Sequence, residues 1–238
     1  MKRTGDTLGP PQRPLGRLRS VWETEVGLSA FTGLLTLDIF VVSPLANLGV
    51  LGTSLIDVVF SLLLVCGALA LHPGRILRVF VVILVGIAIG LRWMVTWHPV
   101  PWVLAAASLL VVLTLGSFAA IVLKRVFGAG PVTRHRIHGA VCAYLIFGLM
   151  WAAGYAFIEE VFPAAFNVAG GAGLADKPVS RFVYFSFVTL TTVGYGDITA
   201  VHPLARTLVI AEALTGQLFP AIIIGSLVSA ALQTRSES

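Results

Sequence analysis

The chain has 238 residues, 57% of them hydrophobic and only 11% charged, with a formal net charge of +5 and a mean hydropathy of +0.94. A water-soluble domain carries about 25% charged residues, so this composition excludes one and specifies an integral membrane protein. Cys66 and Cys142 both fall inside apolar runs, which implies no disulfide framework.

Residues 1–24 are polar, basic and proline-bearing (Pro10, Pro11, Pro14). The apolar run that follows is too long for a signal-peptide core, so no cleaved targeting segment is expected. A helix needs about 20 apolar residues to cross roughly 30 Å of hydrocarbon. Such stretches lie at about 26–46, 50–71, 78–96, 101–123 and 137–159, and a sixth at about 204–232. Turn chemistry separates them: Ser43-Pro44, Asn47 to Gly49, His72-Pro73-Gly74, His98 to Pro101 and Gly128 to Pro131.

Lysines and arginines orient these spans. With the N-terminus inside, the inner segments hold Lys2, Arg3, Arg13, Arg17, Arg19, Arg75, Arg78, Lys124, Arg125, Arg134, Arg136 and Arg235. The outer side keeps only Arg92, Lys177, Arg181 and Arg206. This positive-inside bias predicts a multi-pass protein of the cell (plasma or inner) membrane with both ends cytoplasmic. The basic balance is thus topological, and no nucleic-acid partner is expected.

The segment "SRFVYFSFVTLT", residues 180–191, rises only about 18 Å as a helix, too little to cross. It must enter and return on the outer side. The return leg, Thr192 to Gly196, covers about 13 Å as extended chain. Non-helical backbone at that depth is tolerated only where protein buries it or it lines water. If all its carbonyls point one way, residues must alternate between right- and left-handed conformations, and Gly194 and Gly196 suit the left-handed positions. Several such strands around an axis stack rings of oxygens that replace the hydration shell of a cation.

"TTVGYGD", Thr191 to Asp197, resembles the signature filter of potassium channels, and the resemblance covers about 155–232. It implies ion-coordinating oxygens on Thr192, Val193, Gly194 and Tyr195, with Gly196 completing the strand and the Thr192 hydroxyl forming the innermost site. It further implies a homotetramer in a lipid bilayer, since one chain supplies one wall and rotational symmetry closes the ring. The layout is similar to small bacterial six-helix ion-channel proteins. The expected fold is an all-α membrane protein with six transmembrane helices, a re-entrant pore helix and a filter. Its divisions are a four-helix region over 25–126 and a pore domain over 137–232. Potassium is the permeant ion; no resident cofactor and no enzymatic activity are expected. A coupled transporter is the rival class, but such proteins carry four degraded motifs in one long chain. A non-conducting accessory subunit is the second alternative.

Around the filter, Thr191 is a support residue. Tyr184 stands where the family often has a tryptophan that bonds the aspartate after the filter, so a Tyr184–Asp197 bond is expected, with an interfacial aromatic as the alternative. Asp197, Glu159, Glu160 and Asp176 make the outer mouth acidic and would concentrate cations; plain solvation at a helix end serves the glutamates equally. In the inner helix, Gly216 is either the hinge glycine the resemblance implies or a close-packing residue against the pore helix. Pro220 removes a backbone hydrogen bond one turn later. Helical spacing puts Gln217, Ala221, Ile224 and Val228 on one face, a candidate cavity and gate lining. Glu212 is a carboxylate in apolar surroundings, either functional or held structurally behind the filter.

Six helices with the pore between the last two also resemble the voltage-gated layout, whose fourth helix bears spaced arginines. Here the fourth span has no charge. Each charge crossing the field contributes about 2.3 kcal/mol per 100 mV, and steep gating needs several, so strong voltage gating is not expected. Asp38, Asp57 and Arg92 lie at similar depth, which predicts a buried cluster with Arg92 bridging both carboxylates. Only "QTRSES" follows the inner helix, so no ligand-binding domain is expected there. His135 and His138 flank Arg136 and are either proton sensors or ordinary interfacial residues.

Overall fold

Long apolar runs leave the backbone no partner but itself, and helices result. The computed structural model describes residues 27–71, 75–97, 100–128, 134–169 and 178–236. Helix α1 covers Gly27–Ala46, α2 Thr53–Ala70, α3 Arg75–Trp97 and α4 Pro101–Val126. Helix α5 covers Arg134–Val161, α6 Pro178–Leu190 and α7 Pro203–Ser236. Three of these helices begin on proline (Pro101, Pro178, Pro203), whose fixed φ suits a first turn that lacks intrahelical donors anyway.

Among the described residues, five helical stretches are long and apolar enough to cross a bilayer: Gly27–Ala46, Arg75–Trp97, Pro101–Val126, Arg136–Val161 and Pro203–Ser226. The second expected span is shorter. Gly49 takes φ +70° and Gly52 is extended, so the turn consumes the first residues of the run. The 18 residues of α2 rise about 27 Å, just under the hydrocarbon thickness.

Within α1, residues Asp38–Val42 form a π-helical segment, closed by Ser43 N–H donating to Asp38 O. Pro44 follows at once. It has no N–H, and its ring would strike the carbonyl four residues back in an α-helix. A wider turn before it relieves that clash and sets Asp38 into the interior.

Gly67 of α2 lets α1, α2 and α4 converge: a Cβ there would meet Phe118 Cε2 at 2.5 Å and Phe31 Cε2 at 2.8 Å. Those two rings meet edge to face, centroids 5.6 Å apart. Helix α3 packs on α4 and turns Ile76, Val79, Phe80, Val82 and Ile83 outward. An apolar surface of that extent suits lipid, not water. Helices α4 and α5 share the most extensive contact, and α6 lies against α5 and α7.

Two short strands were not expected. Strand β1 (Phe166–Val168) pairs antiparallel with β2 (Ile198–Ala200), Val168 opposite Ile198. They join the segment after α5 to the one that follows Asp197.

Candidate functional site: a left-handed strand at the end of a short helix

Helix α6 and the chain leaving it form one unit. Past Leu190 the backbone turns back on itself: Thr192 N–H donates to Thr189 O at 2.9 Å, and Val193 and Gly194 N–H both reach Val188 O, at 3.0 and 3.3 Å. Left-handed φ values then occur at every second residue, Thr192 (+60°), Gly194 (+56°) and Gly196 (+80°). For the glycines this conformation costs little. For a β-branched threonine it is strained, and such outliers persist where the surroundings impose them, often at functional sites.

Residues 191–196 are all exposed, Val193 by 53% and Tyr195 by 71%. Among the described residues, no N–H or hydroxyl donates to a carbonyl of residues 192–196. Five adjacent acceptors thus stand open on a strand whose donors are partly engaged behind. Thr191 turns its hydroxyl back to Phe187 O at 2.6 Å.

The strand is held at both ends. Outside, Tyr184 Oη donates to Asp197 Oδ2 at 2.8 Å, and Ile198 N–H donates to Asp197 Oδ1 at 3.1 Å. Ala169 N–H donates to Asp197 O at 2.7 Å, which draws in the β1 side. Inside, Tyr144 Oη of α5 donates to Leu190 O at 3.2 Å. Gly216 of α7 abuts that same carbonyl, which a Cβ would overlap. Of the two readings of Gly216, the packing one describes its environment. Gly148 of α5 does the same for the ring of Phe187. Tyr155, Phe166, Phe182 and Phe185 form a buried aromatic cluster beside them.

Behind α6 lies Glu212, fully buried. Tyr155 Oη and Ser186 Oγ both contact its carboxyl group, and Ser186 Oγ is also 2.7 Å from Gly148 O. Sequence reasoning singled out Glu212 but missed Tyr144, Gly148, Tyr155 and Ser186. The available signal was depth, because a buried carboxyl needs donors on facing helices at its own level.

The other expected residues distribute as follows. Helix α7 runs unbroken through Pro220. Gln217, Ala221 and Ile224 are exposed on it; the side chain of Val228 lies outside the described residues. Glu159 is not an open mouth charge: its carboxylate pairs with Arg181 Nη2 at 3.1 Å and accepts Phe166 N–H at 3.3 Å. Asp176 and the side chain of His135 lie outside the described residues, as do residues 1–24, and His138 is exposed. Cys66 and Cys142 are free thiols.

Arg92 does not bridge two carboxylates. Its Nε donates to Asp57 Oδ1 at 2.7 Å, Thr96 Oγ1 donates to Asp57 Oδ2 at 2.5 Å, and its guanidinium lies 4.8 Å from the centroid of the Phe60 ring. Asp38 is buried within the electrostatic range of Arg92, but among the described residues they form no hydrogen bond or ion pair. Equal depth fixes height in a bundle, not the angle around each helix.

Residues 140–233 match the family model described as ion channel. The match begins in α5, takes in α6 and the strand, and ends near the close of α7. This segment is similar to ion-channel domains, a likeness consistent with the potassium-channel family. No curated protein and no solved structure matches the chain.

Proposed function

We propose that the protein is a potassium-selective channel subunit, four copies of which surround a conduction path walled by residues 192–196. The observation that carries this reading is the strand itself: alternate left-handed residues, an exposed position for each of them and carbonyls that no donor among the described residues occupies. Four such strands around an axis present stacked oxygen rings matched to a dehydrated cation. Thr192, Val193, Gly194 and Tyr195 supply the oxygens, and Thr191, Tyr184 and Asp197 support them. Helix α7 favours a multimer, since in an 18-residue apolar window of Pro203–Ser226 only 11% of the residues are buried within one chain; it lines the inner cavity with Gln217, Ala221 and Ile224. Conduction is passive. Helix α4 bears its only charges, Lys124 and Arg125, in its last turn, so opening depends weakly on voltage. The chain crosses six times with α2 included, and both ends are cytoplasmic in the cell membrane.

Purified protein in liposomes tests this. A flux that stops at the potassium equilibrium potential, with sodium excluded, is the expected result. Flux coupled to a second ion in fixed ratio would make the protein a transporter, and no flux at all would leave an accessory subunit.

A further inference from the structure

Helix α7 buries one carboxyl completely, and its proton inventory can be read from the contacts. Glu212 Oε2 receives Tyr155 Oη–H from α5. Its Oε1 lies 2.5 Å from Ser186 Oγ of α6, and Ser186 Oγ lies 2.7 Å from Gly148 O of α5. A serine hydroxyl has one proton to give, and a carbonyl can only accept. If Ser186 gives its proton to Gly148, the 2.5 Å contact is a hydrogen bond only when Oε1 carries a proton. If Ser186 gives it to Oε1 instead, two oxygens face each other at 2.7 Å with no proton between them. One arrangement satisfies every contact.

We propose that Glu212 is a neutral carboxylic acid whose proton completes a donor chain, Tyr155 to Glu212 to Ser186 to Gly148, that clamps α6 between α5 and α7. The surroundings agree. The titratable groups facing the carboxyl are two phenols of α5, Tyr155 and Tyr144, while α6 offers only a serine hydroxyl. Among the described residues no Lys, Arg or His pairs with it, and an unpaired charge within a membrane is costly.

The clamp bears on the strand through its register. Glu212 is level with Ser186, and one turn further Gly216 is level with Leu190, the last residue of α6. Glu212 is therefore a positioning residue: it sets the distance between α7 and the helix that leads into residues 192–196. This role rests on those residues being the filter; the protonation state does not.

Infrared spectroscopy of the purified full chain tests the proton directly. At neutral pH the protein should show the C=O stretch of a protonated carboxylic acid. That band should shift on 13C-glutamate labelling, move in Tyr155→Phe and vanish in Glu212→Gln. No conduction enters this measurement, so its failure and failure of the channel reading are distinguishable. In liposomes, Glu212→Gln should keep wild-type selectivity, because an amide donates to Ser186 and accepts from Tyr155 as the acid does. Glu212→Ala should lose selectivity or flux on the order of tenfold, as expected for one buried hydrogen bond. Raising the pH should reduce wild-type flux in step with the infrared band and leave Glu212→Gln flat. The absence of the band overturns the proposal. So does a folded Glu212→Gln as damaged as Glu212→Ala, or an undamaged Glu212→Ala. If the alanine variant fails to assemble, the band and the pH profile decide.

Discussion

Replacing Gly216 by alanine is the sharpest test of how α7 holds α6. A Cβ on residue 216 would overlap the Leu190 carbonyl oxygen and approach Leu190 C at 2.7 Å and Cα at 3.0 Å, where ordinary contact begins at 3.4 Å. All three neighbours are backbone, so no rotamer change can clear them. Helix α7 must therefore retreat by roughly 1.5 Å, and overpacking against backbone that cannot turn aside takes the upper part of the usual cost, about 2–3 kcal/mol. Alanine recovers at most about 1 kcal/mol in helix propensity, which leaves a net loss of about 1–2 kcal/mol per chain. Because Leu190 is two residues from Thr192, the displacement should reach the strand. Thermal melting in detergent, read beside potassium-over-sodium flux in liposomes, should show both effects. Gly225→Ala, in the same helix with nothing within 4 Å, should be neutral or slightly stabilising. A Gly216→Ala protein with wild-type melting and selectivity refutes the packing argument. Unchanged melting with altered opening would favour the hinge reading.

Gly194→Ala meets no neighbour within 4 Å, so its cost is conformational alone, about 1–2 kcal/mol for a side chain in the left-handed region; selective flux should be lost while assembly persists, checked by size-exclusion chromatography beside liposome flux. Arg92→Gln leaves the Asp57 carboxylate with Thr96 alone and should lower the melting temperature by the equivalent of about 2.5–3.5 kcal/mol. Asp57→Asn should cost a similar amount, since Asp38 makes no ion pair ready to replace it, and both variants should keep wild-type selectivity. Open probability measured in planar bilayers should vary only weakly between about −100 and +100 mV, because no charge of α4 lies inside the field; a steep sigmoid would place a sensor elsewhere.

Much of this was legible in the chain. Hydropathy located the long helices because lipid leaves an apolar run no other structure, and Gly194 with Gly196 announced a strand that no helix could absorb. The pairing of β1 with β2 was not legible: at three residues each, "FNV" and "ITA" are too short for their alternation to signal a strand, and only the return of the chain brings them together. The π segment at Asp38 was hidden because hydropathy does not register a one-residue change of pitch. Gly216 remained ambiguous since a hinge and a close contact both call for glycine. Tyr155 and Ser186 lie 57 and 26 positions from Glu212, and only tertiary packing makes them neighbours.

The two seams of α5 differ in kind. Toward α4 the contacts are glycine and alkyl: a Cβ on Gly139 would meet Val126 Cγ2 at 2.9 Å, and one on Gly116 would meet Met150 Sδ at 3.6 Å. Toward α6 and α7 the seam is fastened by hydroxyl bonds to Leu190 O, Gly148 O and Glu212. Acyl chains can stand in for methyl groups at little loss, since within a bilayer there is no hydrophobic drive to hold helices together. They cannot replace a hydroxyl. Helix α4 thus belongs to a mantle packed on α5 largely by shape, and the last three helices form a kernel fastened by donated protons. Along this chain, substitutions among the mantle helices are expected to disturb residues 192–196 less than the loss of a single hydroxyl inside the kernel.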